Sequence, residues 1–274
     1  MLNKPSVHGD KRMSESREPK AAGVFGTVNP YDGCQHGCLY CYARTIRKRR
    51  YDSWINPKPR PQILLKLKKD VKRVKKSGFE VPDIFLCSAC DGYQPLELKH
   101  RLTRGVLEIL IENEFPFTLV TKSDNVLRDI DLIKNYGNCR VGLTVITLNE
   151  ELKSLLEPYS PPIRARKDTL RTLSHEGVST FCIMEPLMPT KDSNPFEIIA
   201  ELCQYVDLFM FGKWSPYVKK TIPFTYDEAY YSDLFKRLIP FCEGQGIPYC
   251  ITPHSEDFLT RQGIRFRSYQ RLTD

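Results

Sequence analysis

Short β-rich runs alternate with helical stretches six times along this chain, and that rhythm constrains its fold more than any other feature. The pairs are Phe25 to Asn29 then a helix from about Leu39; Asp83 to Leu86 then Leu98 to Ile111; and Phe117 to Thr121 then Val126 to Lys134. The series continues with Arg140 to Ile146 then Arg166 to His175; Thr180 to Met184 then Pro195 to Cys203; and Leu208 to Phe211 then Asp227 to Phe241. Strands that alternate with helices imply a parallel sheet joined by right-handed crossovers, either an open doubly wound sheet or a curved partial barrel. Ile247 to Ile251 reads as one more short strand, followed by a tail. The 274 residues suit one α/β domain. The boundaries expected are a loose polar arm over 1–22, a core over 23–255 and a tail over 256–274, because the arm has little to bury.

Composition narrows the setting. No apolar run approaches the roughly 20 residues needed to cross a bilayer, and Met1-Leu2-Asn3-Lys4 is followed by no apolar signal region, so a cytoplasmic protein without membrane contact is expected. Ten cysteines are too sparse for a disulfide scaffold, which leaves metal ligation, redox chemistry and packing as uses for reduced thiols. The formal charge of +8 is concentrated: Arg44 to Lys76 holds fourteen Lys and Arg against only Asp52 and Asp70, so this stretch is +12 and the remainder −4. Such a block suits the phosphates of a nucleic acid. Leu64, Leu67, Val71 and Val74 fall at helical spacing among the lysines, so a solvated helix with a buried stripe explains it equally well.

Directly after the first strand comes Asn29-Pro30-Tyr31-Asp32-Gly33-Cys34-Gln35-His36-Gly37-Cys38-Leu39-Tyr40-Cys41-Tyr42-Ala43-Arg44. Its C-x3-C-x2-C spacing, with Gly33 and Gly37 permitting a tight loop, lets Cys34, Cys38 and Cys41 converge on one metal centre while a fourth corner stays open. A three-cysteine [4Fe-4S] cluster has that open iron. A zinc site built from Cys38-x2-Cys41 and Cys87-x2-Cys90 is the competitor, although 45 residues separate the two pairs and Cys34 would be left over.

These residues resemble the signature of radical S-adenosylmethionine (SAM) enzymes, and the wider segment is similar to the branch around spore photoproduct lyase and the DNA repair photolyase-like proteins. Further similarity lies in Cys90-Asp91-Gly92-Tyr93-Gln94-Pro95-Leu96-Glu97, Thr121-Lys122-Ser123, Arg128-Asp129-Ile130-Asp131-Leu132, Glu185-Pro186-Leu187 and Pro253-His254-Ser255, spanning about residues 24 to 255. The resemblance implies a partial (β/α)6 TIM-type barrel with a short C-terminal extension, whose chemistry sits at the C-terminal ends of the strands. It implies a [4Fe-4S] cluster on Cys34, Cys38 and Cys41, SAM as cofactor, and cleavage of SAM to a 5′-deoxyadenosyl radical. An electron donor such as flavodoxin or ferredoxin follows as a partner.

The implied SAM contacts are Tyr40, Cys90, Asp91, Lys122, Thr144 and Glu185. Tyr40 and Tyr42 match tyrosines implicated in radical transfer. The lyase's hydrogen-donating cysteine stands two residues before its SAM-contacting hydroxyl residue; here that place is Ser88, and Cys90 occupies the hydroxyl position as the candidate donor. Cys87, on strand alternation, is expected in the barrel wall. Cys139, Cys182, Cys203, Cys242 and Cys250 are expected in the core, and Trp214 and Tyr217 in packing or base stacking. The leading substrate class is a nucleic-acid base or nucleotide. A peptide or small-metabolite substrate, and a non-catalytic zinc or iron-sulfur nucleic-acid-binding protein, are the alternatives.

Overall fold

The computed structural model describes residues 26–78, 81, 83–214 and 223–268. The arm over 1–22, Phe25, Tyr217 and the end of the tail lie outside the described residues. After β1 (Gly26–Val28), a short antiparallel pair, β2 (Tyr31–Asp32) and β3 (Lys58–Pro59), brackets the cysteine loop and two single-turn helices, α1 (Tyr42–Ile46) and α2 (Tyr51–Ile55). Six more strands follow: β4 (Ile84–Leu86), β5 (Phe117–Thr121), β6 (Cys139–Thr144), β7 (Ser179–Leu187), β8 (Leu208–Lys213) and β9 (Tyr249–Ile251). Among the described residues these make one sheet in the order β1-β4-β5-β6-β7-β8-β9, with every pairing parallel. When neighbours in sequence are also neighbours in the sheet, right-handed crossovers put all the helices on one face. The other face must then be closed by curling the sheet, which gives the partial barrel.

The helices are α3 (Gln62–Ser77), α4 (Leu96–His100), α5 (Leu102–Glu112), α6 (Ile130–Ile133), α7 (Glu150–Leu156), α8 (Ile163–His175), α9 (Pro195–Leu202), α10 (Glu228–Gly244) and α11 (Pro253–Arg261). Strand alternation divides the residues between two cores. Ile84, Leu86, Leu119, Val141, Leu143, Phe209 and Phe211 join the large core shared with the helices. Phe181, Ile183, Leu208, Met210 and Cys250 fill the concave side as a smaller cluster. Gly142 belongs to that side, because a Cβ there would fall 2.2 Å from the Phe181 ring. The α3 stripe holds for Leu67, Val71 and Val74, which are buried and each worth roughly 1.5–3 kcal/mol, whereas Leu64 is half-buried and Ile63 takes the fully buried place.

Three expectations need correction. The helix expected over Leu98 to Ile111 is two helices, broken where Arg101 takes a left-handed φ of 49°. The stretch after Ile251 contains α11, started by Pro253 in its first turn. Cys203 is exposed, since α9 ends at Leu202 and Cys203 sits at its C-cap where the chain turns to solvent; Cys139, Cys182, Cys242 and Cys250 are buried as expected. No helix among the described residues is long and apolar enough to cross a membrane.

Candidate active site

The C-terminal ends of the strands surround a cavity whose wall includes Cys34, Cys38, Cys41, Tyr40, Tyr42, Cys87, Cys90, Asp91, Lys122, Thr144, Glu185 and His254. Every residue singled out from the sequence as a ligand, SAM contact or radical carrier therefore borders one space, although they come from segments 150 residues apart in the chain.

The cysteine loop is held by both of its ends and by its neighbours. Gly33 and Gly37 have φ of 103° and 63°, the left-handed region that glycine enters without strain. Cys34 N donates to Trp54 O at 2.9 Å and Leu39 N to Leu156 O at 2.9 Å. Gln35 is locked to the segment after β4: its N–H reaches Gln94 Oε1 at 2.8 Å and its Oε1 accepts from Leu96 N at 2.6 Å. That segment is anchored from below, since Tyr93 donates to Asp129 at 3.0 Å and Arg128 pairs with the fully buried Glu97 at 2.8 Å. The Tyr-Gln-Pro-x-Glu residues thus act as scaffolding for the loop. Burial pushes the Cys38 thiol up to about 12 and raises Cys34 and Cys41 as well, since an apolar wall disfavours an uncompensated thiolate.

Asp91 has both carboxylate oxygens engaged. Oδ1 accepts from Thr121 Oγ1 at 2.7 Å and Tyr93 N at 2.9 Å; Oδ2 accepts from Lys122 N at 2.8 Å and lies 3.3 Å from His36 Nδ1. Burial alone would raise it, but His36, Thr121 and the Lys122 N–H outweigh burial and hold it well below the usual carboxylate range. The expected SAM contact is in this geometry a clamp that fixes the end of β5, and with it Lys122, against the cysteine loop.

Lys122, Tyr40 and two residues that no sequence motif marked form a buried network. The Tyr40 hydroxyl donates to Glu157 Oε1, Arg166 pairs with Glu157 Oε2, and Lys122 Nζ lies 3.9 Å from Glu157 Oε1 and 5.6 Å from the Tyr40 ring centre. Arg166 also donates to the Thr144 carbonyl at 2.9 Å, tying α8 to the end of β6. Across the cavity Glu185 Oε1 accepts from Thr252 at 3.0 Å and lies 3.1 Å from His254 Nε2. Gly212 makes room for this contact: a Cβ there would sit 2.6 Å from the Glu185 carboxyl. Burial raises Glu185, with His254, Thr252 and Lys213 pulling the other way.

The loop after β4 extends one expectation. Cys87 packs in the wall with the large core, as expected, and also borders the cavity beside Cys90. Strand alternation stops at Leu86, and Cys87 takes a φ of 68°, which redirects its side chain. Cys90 Sγ donates to Asn29 Oδ1 at 3.7 Å, and the same oxygen holds Ala89 N at 2.7 Å. Tyr42 donates to the Ser88 carbonyl and meets His254 edge to face at 6.5 Å. Trp214 is fully buried against Tyr226 and also borders the cavity.

A sequentially wound partial barrel with three thiols after its first strand, bordering a largely apolar cavity at its mouth, defines a cofactor-dependent barrel enzyme. The pattern of the Radical SAM superfamily matches residues 28–203. The chain is 31% identical over 232 residues to uncharacterized protein MJ0683 of Methanocaldococcus jannaschii, covering 80% of this chain and 85% of that one. It is 27% identical over 164 residues to uncharacterized protein ORF301 of Acidianus two-tailed virus, covering 57% and 54%. Among solved structures, Streptococcus suis SuiB bound to S-adenosylmethionine matches with a TM-score of 0.61 at 13% identity over 82% of this chain, which spans about half (49%) of the SuiB chain. A spore photoproduct lyase mutant with a dinucleoside spore photoproduct matches with a TM-score of 0.56 at 17% identity, covering 73% of this chain and 62% of that one. This chain belongs to the radical SAM superfamily, whose cofactors are a [4Fe-4S] cluster and SAM.

Proposed function

We propose that this radical SAM enzyme acts on a nucleic-acid base or nucleotide, in the manner of the DNA repair photolyase-like branch. The observation that carries the reading is the single cavity shared by the three cysteines, Lys122, Thr144, Glu185 and Cys90. Cys34, Cys38 and Cys41 would hold the cluster. The fit rests on chemistry in the wall: two buried thiols and a half-buried third, Cys41, that an iron centre would convert to thiolates, and the buried Trp54 Nε1, which has no partner among the described residues. Among the described residues no three His, Cys, Asp or Glu side chains gather tightly enough to chelate one ion. A polynuclear cluster needs no such convergence, because each thiolate takes its own iron.

When bound, the cluster and SAM supply a 5′-deoxyadenosyl radical. Lys122 suits the carboxylate of SAM, and the Thr144 hydroxyl can bond a ribose. Asp91 keeps Lys122 in place. Tyr40 is the better radical carrier of the two tyrosines, because its proton can pass to Glu157 while the Tyr42 hydroxyl faces only a carbonyl. Cys90 is the hydrogen-atom donor to a substrate radical. The exposed cations of α3 (Lys66, Lys68, Lys69, Lys72, Arg73, Lys75 and Lys76) support the nucleic-acid reading, as does the lyase structure with its dinucleoside.

A peptide substrate is the second reading, favoured by the likeness to SuiB, one of whose structures holds the precursor peptide SuiA. The test is anaerobic reconstitution with iron and sulfide, then SAM and dithionite with DNA, RNA or peptide, followed by mass spectrometry for 5′-deoxyadenosine. Formation stimulated by nucleic acid is expected. Stimulation by peptide alone selects the second reading, and stoichiometric zinc with no 5′-deoxyadenosine refutes both.

A further inference from the structure

The basic block divides into two surfaces. The α3 cations lie along the outer wall of the barrel, whereas Arg44, Arg47, Lys48, Arg49 and Arg50 crowd the outside of the cysteine loop. At that corner Gly37, the neighbour of Cys38, is roofed by two rings: Tyr51, whose hydroxyl donates to Gly37 O at 3.0 Å, and Tyr159, 2.9 Å from where a Gly37 Cβ would stand. Tyr159 is 58% exposed, and Leu155, four residues earlier at the end of α7, is 49% exposed. Arg44 stacks 5.7 Å over Tyr51, while Arg47 and Arg49 are fixed on Asp32 at 3.0 and 3.1 Å. Lys48 and Arg50 are exposed and carry no ion pair among the described residues; Asp52 is the opposing charge. An exposed apolar centre ringed by cations is the signature of a recognition surface.

We propose that this corner docks an acidic one-electron carrier protein, an inference that rests on the cluster reading above. A cluster on Cys34, Cys38 and Cys41 has two approaches, the cavity and the back of the loop. A carrier entering through the cavity would compete with substrate, whereas the Gly37 corner reaches the neighbour of Cys38 from outside. One electron leaves the carrier and one enters the cluster, with no proton or atom transferred. Encounters of this kind are small and steered by charge, which suits a compact patch of cations around two aromatic rings.

The test uses the reconstituted full chain and, as probe, an acidic flavodoxin in its hydroquinone form, with cluster reduction followed by absorbance and binding by calorimetry. In wild type both rate and affinity should fall as salt rises. Lys48→Glu with Arg50→Glu should lower the flavodoxin-driven rate at least tenfold and weaken binding in parallel, and Tyr159→Ala should lower it several-fold. Reduction by dithionite, which needs no docking, should be unchanged in all of them, and Lys236→Glu with Arg237→Glu on α10 should match wild type. Indifference to the corner variants, an equal loss in the α10 variant, loss of dithionite reduction, or weakened DNA binding with flavodoxin reduction intact each overturns the proposal. Iron and sulfide content separates the two readings: a wild type with no cluster refutes the cluster reading and docking together, whereas a cluster that flavodoxin reduces equally in every variant refutes docking alone.

Discussion

At the scale of single residues, Cys87 and Cys90 show how one dihedral angle changes the chemistry of a wall. A non-glycine residue at positive φ costs of order 1–3 kcal/mol and is kept where its surroundings require it. Here it brings a second thiol to the cavity beside Cys90. If Cys90 donates hydrogen to a substrate radical, Cys90→Ser should leave SAM cleavage running while 5′-deoxyadenosine per product rises severalfold; Cys87→Ser should change the ratio less. An unchanged ratio in the Cys90 variant removes it from the mechanism. A second residue gives a pH signature. Burial raises Asp83, against the Thr118 hydroxyl and Arg140, and its Oδ1 is buried without a partner among the described residues. The folded carboxyl therefore keeps its proton to a higher pH than the unfolded one, so its contribution to stability is intact below the unfolded value and is lost as pH rises through the folded value. Asp83→Asn should melt higher than wild type at pH 7, with the gap closing toward pH 4 in thermal scans.

At the scale of elements, α7, α8 and β6 meet the cysteine loop through Glu157 and Arg166. Both side chains are fully buried, so removing one strands the other's charge in an apolar setting. Arg166→Ala should cost about 3–5 kcal/mol in urea unfolding, whereas Arg164→Ala, exposed on the same helix, should cost well under 1 kcal/mol. This pair also marks where sequence reading stops. The cluster cysteines are legible because their spacing is local, and the strands because alternation is local. Glu157 meets Tyr40 across 117 positions and carries no pattern of its own. Glu185 and His254 each stand in a recognisable segment, yet their pairing exists only because β7 and β9 flank the glycine of β8. The break at Arg101 has a similar cause, since the Glu97 carboxylate that accepts from Thr103 N across the turn is itself held by the distant Arg128.

At the scale of the whole molecule, charge and topology act together. A strand that ends in the cysteine loop must be followed by a helix running back toward the opposite end of the barrel, so α3 lays its exposed lysines along the outside, with its buried stripe facing the core. A nucleic acid held there would be gripped through its backbone while a base reached the cavity mouth. Phosphate contacts release counterions, so affinity should fall steeply with salt, by about 0.9 in log–log slope for each contact on duplex DNA and about 0.7 on single strands. Reversing Lys68, Lys69 and Lys72 to Glu should weaken binding across unrelated sequences and flatten that slope by roughly 2–3, while leaving 5′-deoxyadenosine formation without nucleic acid as it was. Fluorescence anisotropy with labelled oligonucleotides at several salt concentrations measures both quantities. Binding absent at low salt, or indifferent to the three reversals, would make α3 a solvated helix and move the weight of the functional reading to the peptide alternative.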